Sequence, residues 1–256
     1  MIHATAIVDE RAKLGDNVSV GPYSIIGPEV EIGAGTEIGP HVVIQGPSTI
    51  GQYNKIFQFS SIGEMPQDKK YNGEPTRLIV GNHNVIREFV TLNRGTAAGI
   101  GETVIGSENI FMAYSHVAHD CIVGNHTVFA NAASLAGHVE VGDYAILGGF
   151  TTVHQFTQIG SMSLCGQGSA VTQDIPPFST AAGNRAKTIG INKEGLRRKG
   201  FSEDLIRALH QSFRELLKSK VSKKAAFEKL LPLCKAYPEV SEFVDFIKNS
   251  KRGIAR

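Results

Sequence analysis

Residues 14–62 read LGDNVSVGPYSIIGPEVEIGAGTEIGPHVVIQGPSTIGQYNKIFQFSSI, and every sixth residue of the stretch, counted from Leu14, is aliphatic. The series begins earlier, at Ile2 and Val8, and runs through Leu14, Val20, Ile26, Ile32, Ile38, Ile44, Ile50 and Ile56 to Ile62. Glycine follows the aliphatic residue at 15, 21, 27, 33, 39, 51 and 63. A period of six is neither helical nor simple strand alternation. A short strand plus a corner, repeated, produces it, and this is the hexapeptide signature of a parallel β-helix. After a break the period returns, from Ile105 through Phe111, Val117, Val123, Phe129, Leu135, Val141, Leu147, Val153, Ile159 and Cys165 to Val171.

Three hexapeptides close one triangular coil, so residues 18 apart stack with a rise of roughly 4.8 Å. The aliphatic residue points inward. The small residue two before it, as at Ser24, Thr36 and Ser115, shares that face because alternate strand residues do. Glycine after the aliphatic residue is expected to supply unusual backbone angles at the corner. One coil cannot bury its own core, so stability comes from stacking.

Two segments leave the pattern. Residues 63–79, GEMPQDKKYNGEPTRLI, separate Ile62 from Val80 by 18 residues, which reads as one whole coil of chain rerouted. The period continues through Val80, Ile86 and Leu92. Residues 93–103, NRGTAAGIGET, then shift its phase before Ile105. Excursions from a regular scaffold are where function concentrates. Pro176-Pro177 are expected to end the ladder, with an exit strand or loop over 178–191. From Asn192 the composition is helical. Ser202 is a candidate N-cap for a helix with Leu205, Ile206, Leu209, Phe213 and Leu217 on one face. Ser222 would cap another, with Phe227, Leu230, Leu231 and Cys234, that Pro232 should kink or end. A last helix follows Pro238 and carries Phe243, Phe246 and Ile247. The expected division is a β-helix over 1–190 and an α-helical domain over 191–256.

The three cysteines, Cys121, Cys165 and Cys234, lack metal spacing and are odd in number, so free thiols in a reducing compartment are expected. The opening MIHATAIVDE has neither a basic leader nor an apolar signal segment, and no apolar run reaches membrane-spanning length. A cytoplasmic location follows, with no membrane insertion and no nucleic-acid partner. Residues 192–256 hold 16 Lys+Arg against 8 Asp+Glu, a balance of +8, while the remainder holds 10 against 16, a balance of −6. Such a basic appendage fits an anionic partner. Its candidate contacts are Arg197, Arg198, Lys199, Lys218, Lys220, Lys223 and Lys224.

Histidines cluster in the second run, at 116, 119, 126, 138 and 154. His119 stands two residues after the inward Val117, hence at a corner. Asp120 beside it can orient an imidazole. The 18-residue stacking puts Gly137 and Gln155 above His119, and His138 above Asp120. A histidine base beneath a side-chain-free amide is an acyl-transfer arrangement, the amide serving as a one-donor oxyanion site. A three-histidine metal centre is the alternative these residues leave open. No serine sits in a nucleophile elbow, and Cys121 and Cys165 fall at inward positions, which argues against a covalent intermediate.

The segments PQDKKYNGEPTR, HVAHDCIVGNHTVFAN, LAGHV, TVHQF, QDIPPF and NKEGLRRKGF, together with the repeats, resemble the UDP-N-acetylglucosamine 3-O-acyltransferases that begin lipid A synthesis, over essentially the whole length. The resemblance implies a mainly β fold, a left-handed parallel β-helix followed by an α-helical domain. It also implies a homotrimer with sites in clefts between subunits. The expected activity moves an (R)-3-hydroxyacyl group from acyl carrier protein to the 3-OH of UDP-N-acetylglucosamine. No metal or redox cofactor is implied, only the acyl-phosphopantetheine co-substrate.

By the same resemblance His119 is the general base, Asp120 its orienting partner and Gly137 the oxyanion amide. Gln67, Asp68 and Lys70 contact the acyl-sugar portion, and His116, His138, His154 and Gln155 line the sugar-nucleotide pocket. Asn192, Glu194 and Arg198 meet the nucleotide or the phosphopantetheine arm. Asn93 stands where the family often has His, and Lys199 where it often has Arg. Gln167 stands where forms taking longer acyl chains carry Gly, which makes it a candidate acyl-chain ruler. The nearest alternative is the sister N-acyltransferase, which carries an extra N-terminal domain, whereas here the repeats begin at Ile2. A metal-dependent enzyme of the carbonic anhydrase type and a non-catalytic scaffold are the others.

Overall fold

A computed structural model describes residues 1–219 and 221–256; Lys220 of the basic tail lies outside the described residues. Over the described residues the strands, mostly two to four residues long, stack into three sheets of nine, eight and ten strands. Consecutive strands go to successive sheets, so the sheets are the faces of a triangular prism. The first face holds strands such as Ile25–Ile26, His116–Val117 and Thr152–Val153. The second holds Ile122–Val123 and Glu140–Val141, and the third Val128–Phe129 and Leu164–Cys165. The register is the expected one coil, with Ile7 opposite Ile25, His116 opposite Ser134 and Ile122 opposite Glu140. Hydrogen bonds run up the prism, as from Gly33 N to Ile50 O at 2.7 Å.

The aliphatic series forms the core. Ile44, Ile62, Ile86, Leu92, Val117 and Leu147 are fully buried, and Phe111 and Phe129 stack inside with ring centroids 4.7 Å apart. Burying each such side chain contributes about 1.5–3 kcal/mol. Ser24, Thr36 and Ser115 are also fully buried. Several buried polar residues are satisfied within the stack, as where Asn84 donates to Asn54 Oδ1 at 3.0 Å, while Thr157 Oγ1 and Ser163 Oγ are buried without a partner among the described residues.

Apart from Gly63, which adopts the expected turn conformation at φ +73°, the glycines after the aliphatic residues have a different cause from the one expected. Positive φ occurs one position later in the corner than the middle residue, at Tyr23, His41, Phe59, Asp120 and His138, for example, not at Gly21 or Gly39. Those glycines are small because coils touch there: a Cβ on Gly21 would lie 2.6 Å from the carbonyl carbon of Gly39.

The excursions also differ from a rerouted coil. Ile62 pairs with Leu92 and Ile50 with Val80, both 30 residues apart, so 12 residues are inserted between adjacent faces. The second excursion inserts seven, since Arg77 opposes Glu102 at a separation of 25. Both leave the prism at the edge between the first and second faces.

Pro176-Pro177 do not end the ladder. They occupy a corner, and Ser179–Ala182 pairs parallel with Leu164–Cys165 before Lys187–Ile191 turns back antiparallel. The helical region holds α1 (Lys193–Arg198), α2 (Glu203–Phe213), a π turn over Arg214–Lys218, α3 (Lys223–Ala236) and α4 (Pro238–Asn249). Ser202 caps α2 by accepting from Leu205 N at 3.2 Å, and Ser222 caps α3 by accepting from Ala225 N at 3.3 Å. Pro232 does not stop α3, which runs four residues further, and Leu231 is exposed rather than on the buried face. Leu205, Ile206, Leu209, Phe213, Leu230, Phe243 and Ile247 form the second core against Phe178 and Ile191.

Candidate active site

The strand His116–Val117 leads into the corner at 118–120, on the edge from which both excursions leave one and two coils below. Asp120 adopts φ +58°, the turn conformation that most corners use and that Asp tolerates better than most residues. Its carboxylate, the side chain 0% exposed, faces His119, whose Nδ1 lies 2.7 Å from Asp120 Oδ2. The second excursion completes the carboxylate's surroundings. Thr96 Oγ1 donates to Oδ2 at 2.6 Å, Thr96 N to Oδ1 at 3.1 Å and Ile100 N to Oδ1 at 3.0 Å. Gly99 is so close that a Cβ there would strike the carboxylate. Burial alone would raise the Asp120 carboxyl, but the bonds from Thr96 and His119 outweigh it and hold it below the usual carboxylate range. An ionised Asp120 accepting at Nδ1 fixes the tautomer that leaves His119 Nε2 without a proton.

Gly137 lies directly above His119. A Cβ on Gly137 would stand 2.5 Å from His119 Cε1 and 2.7 Å from Nε2. The Gly137 N–H finds no acceptor among the described residues. On the edge between the second and third faces the amides at the same corner position are capped instead. Gln52 N donates to Asn82, Asn82 N to Ser107, Ser107 N to Asn125 and Asn125 N to Asp143. Above the imidazole, that cap is missing.

His138 sits over Asp120, with Nε2 3.9 Å from Oδ2, edge-on to His119 and stacked on Phe156 at 4.4 Å. Burial holds it below the usual imidazole range, partly offset by Asp120. Asp68, on the first excursion, is close enough to act on the same ring. Gln67 and Lys70 are exposed on that excursion. His116 Nδ1 is 2.7 Å from Thr91 Oγ1, and burial lowers His116 as well, with His119 adding to it. His154 and Gln155 lie two coils above on the same edge, both exposed.

His119, Asp120 and His138 bring ligand atoms within 4.8 Å of one another. The donor set does not suit a metal, because both Asp120 oxygens already accept two hydrogen bonds each. Burial pushes the Cys121 and Cys165 thiols up to about 12, so neither is a nucleophile.

Four expected site residues, Asn192, Glu194, Arg198 and Gln167, are elsewhere on this chain. Asn192 caps α1, accepting from Gly195 N at 3.1 Å and donating to Met162 O at 3.0 Å. Glu194 pairs with Arg198 at 3.1 Å in solvent. With Lys199, whose ammonium lies 4.0 Å from the Tyr144 ring centroid, Asn192 borders a cleft of about 320 Å³ that also holds Glu108 and His126. This cleft is on the edge between the second and third faces, not the edge of His119. Gln167 is exposed at the remaining edge, between the third and first faces. Asn93 is buried and donates to Met65 O at 3.1 Å, tying the first excursion to the prism. The sequence reading missed Thr96, Gly99 and Ile100. The only signal for them was the small-residue composition of the excursion.

Comparison with known proteins bears on the family and the fold. Residues 174–255 match the family described as UDP-N-acetylglucosamine O-acyltransferase, domain 2, and residues 11–46 match the bacterial transferase hexapeptide, six repeats. The acyl-[acyl-carrier-protein]–UDP-N-acetylglucosamine O-acyltransferase of Stutzerimonas stutzeri is 50% identical over 256 residues, and that of Saccharophagus degradans is 54% identical over 255. Each match covers 100% of this chain and 99% of the relative. The structure of LpxA from Acinetobacter baumannii superposes with a TM-score of 0.97 at 46% identity, over 100% of this chain and 99% of that one. The prism is thus a left-handed parallel β-helix, and the chain belongs to the UDP-N-acetylglucosamine O-acyltransferase family.

Proposed function

We propose that the protein transfers an (R)-3-hydroxyacyl group from acyl carrier protein to the 3-OH of UDP-N-acetylglucosamine, the first step of lipid A biosynthesis, with His119 as general base. The observation that carries the reading is the His119 imidazole held by Asp120 at 2.7 Å beneath the uncapped amide of Gly137. His119 Nε2 takes the proton of the sugar hydroxyl as its oxygen attacks the thioester carbonyl. The Gly137 N–H stabilises the oxyanion. The C–S bond then breaks, and the thiolate leaves with the proton from the imidazolium. The balance closes without metal or redox cofactor, acyl-phosphopantetheine being the co-substrate.

Gln67, Asp68 and Lys70 line the lower side of this site, with His116 and His138 against the sugar. Asn192, Glu194 and Arg198 lie on a different edge and reach His119 only from a neighbouring copy, which supports a homotrimer with sites between subunits. A cytoplasmic location fits a nucleotide-sugar acceptor and a carrier-protein donor. The test is incubation with UDP-N-acetylglucosamine and a panel of 3-hydroxyacyl carrier proteins, followed by mass measurement of the product. A product bearing one acyl ester is expected. Unchanged acceptor with every donor would refute the reading.

A further inference from the structure

The first excursion reaches the site with Asp68 and Lys70, and one side chain fastens it to the prism. Arg94 opens the second excursion, one coil above the root of the first, since Leu92 pairs with Ile62. Its Nη1 donates to Gly46 O at 2.9 Å and to Gly63 O at 3.2 Å, and its Nη2 donates to Tyr71 Oη at 3.1 Å. These acceptors belong to the coil below the first excursion, to its root and to its middle. All are neutral, and Nε is buried without a partner among the described residues. By contrast Arg77, Arg87, Arg197 and Arg198 pair with carboxylates in solvent. The unmade bond at Nε costs stability, so what the residue contributes is geometry. A planar fork reaches acceptors in three separate segments at once, which a point charge does not.

The contacts continue from Tyr71 to the site. Tyr71 Oη donates on to Glu74 O at 2.9 Å. Tyr71 N donates to Asp68 O at 3.1 Å and Lys70 N to Asp68 Oδ1 at 3.0 Å, so Asp68 stands in a turn that Tyr71 closes. Asp68 is the residue of this excursion that acts on the His138 ring. The backbone supports the same link. Arg94 N donates to Glu64 O at 3.2 Å and Gly95 N to Arg77 O at 3.1 Å, the root and the return of the first excursion. Two residues after Arg94, Thr96 holds Asp120. One short segment therefore sets both carboxylates that face His119 and His138. We infer that Arg94 is a positioning residue for acyl transfer, acting through Tyr71 to hold Asp68 and Lys70 in place beside His138. The inference rests on the acyl-transfer reading of the His119 site. The hydrogen bonds of Arg94 all end on the chain itself, so its effect on the reaction is indirect.

Tyr71→Phe keeps the ring and removes the hydroxyl that accepts from Arg94. Arg94→Lys keeps the charge and loses the fork. Asp68→Ala and Asp68→Ala/Tyr71→Phe complete the set, each made in the full chain and checked by a thermal melt. Lys69 and Lys70 are exposed, but trypsin can cut there only when the turn at Asp68 opens. A charge-assisted hydrogen bond contributes about tenfold or more to an equilibrium. Cleavage after Lys69 or Lys70, read from the mass of the N-terminal fragment, should thus be about tenfold faster in Tyr71→Phe and Arg94→Lys. Their kcat/KM with UDP-N-acetylglucosamine and a 3-hydroxyacyl carrier protein should fall about tenfold as well. Because the link runs through Asp68, adding Tyr71→Phe to Asp68→Ala should cost less than about a further twofold. Parent-like cleavage and turnover in a folded Tyr71→Phe would overturn the inference, and so would losses that multiply in the double variant. A lowered melt with unchanged kcat/KM would make Arg94 a stabilising contact only and would overturn it too. A parent that forms no acyl ester, with variants still cut faster, would uphold the link and sink the acyl-transfer reading alone.

Discussion

Gly137→Ala tests the centre of the site with one methyl group. Gly137 does not occupy the positive-φ position of its corner, which belongs to His138, so alanine suits the backbone. The new Cβ would stand 2.5 Å from His119 Cε1, and an ordinary contact needs about 3.4 Å. The imidazole must therefore move about 1 Å, and it is tied to Asp120 at 2.7 Å, so the shift also stretches that bond. A misplacement of about 1 Å costs on the order of 10²-fold in rate, or about 2.7 kcal/mol of barrier. Initial rates with saturating UDP-N-acetylglucosamine and a 3-hydroxyacyl carrier protein give kcat, and a thermal melt checks the fold. The expected result is kcat down about 10²-fold with the melting temperature close to that of the parent. A variant that melts normally and keeps more than about a third of the parent kcat would show that Gly137 and His119 do not share the reacting space.

His119→Ala should lose roughly 10²–10⁴-fold in kcat, the usual contribution of a general base, with oligomeric state and melting temperature kept; near-normal turnover would end the base assignment. Thermal stability should fall as pH drops below about 6.5, the ordinary histidine value, because burial depresses His116 and His138 and protons then favour the unfolded chain. Melts of His138→Gln should lose less between pH 7 and 5 than the parent, and an identical loss would remove His138 from the account. Arg198→Ala should raise KM with kcat unchanged, and the opposite split in steady-state kinetics would give Arg198 a role in the chemical step. If the basic helices steer the carrier protein, kcat/KM should fall as salt is raised, since exposed charges are screened over about 8 Å at 0.15 M; a flat profile would return those charges to simple solvation.

The ladder was legible because burial in a coiled strand recurs every six residues and leaves few choices: Ile26, Ile44 and Ile62 point inward whatever the corners do. The His119–Gly137 column followed from the same arithmetic, since one-coil stacking needs only a constant period. Reading failed where period stopped. Thr96 and Ile100 reach Asp120 from an excursion whose path no repeat dictates. The expectation that Pro232 would kink or end its helix fails as to ending it, since α3 runs on to Ala236 with Leu230 buried before the proline and Leu233 and Cys234 packed on the second core after it. Apart from Gly63, the glycines after each aliphatic residue were found but misread. Coil-to-coil contact selects them, a constraint between residues 18 apart that single-sequence turn rules do not contain. That Asn192, Glu194 and Arg198 lie on a different edge from His119 needed the three-dimensional placement of α1 and was not visible from the chain.

The prism also gives the proposed chemistry at the His119 corner a physical setting: middle amides such as Glu88 N and Asn131 N are uncapped on the third–first edge as well, but only the amide of Gly137 is uncapped directly above an imidazole held by a buried carboxylate. The inward positions are fixed by packing and the flat faces are committed to strand ladders, so a corner's middle residue is where an amide is free without cost to the sheet. On the edge of Gln52, Asn82, Ser107 and Asn125 those amides are closed by side-chain caps, each coil satisfying the one beneath. On the edge of His119 the caps are absent where His119 and Gly137 meet, while the lower coils send out the excursions that hold Asp120 and approach His138. The difference between the capped edge and the edge of His119 is thus a handful of side chains at equivalent positions of one repeat. It follows that placing an acceptor side chain above Gly137, as Gln155→Asp would, should recap the amide in the manner of Asn125 and Asp143 and suppress turnover while leaving the coil as stable as its neighbours. That outcome is read from kcat beside an unchanged melt.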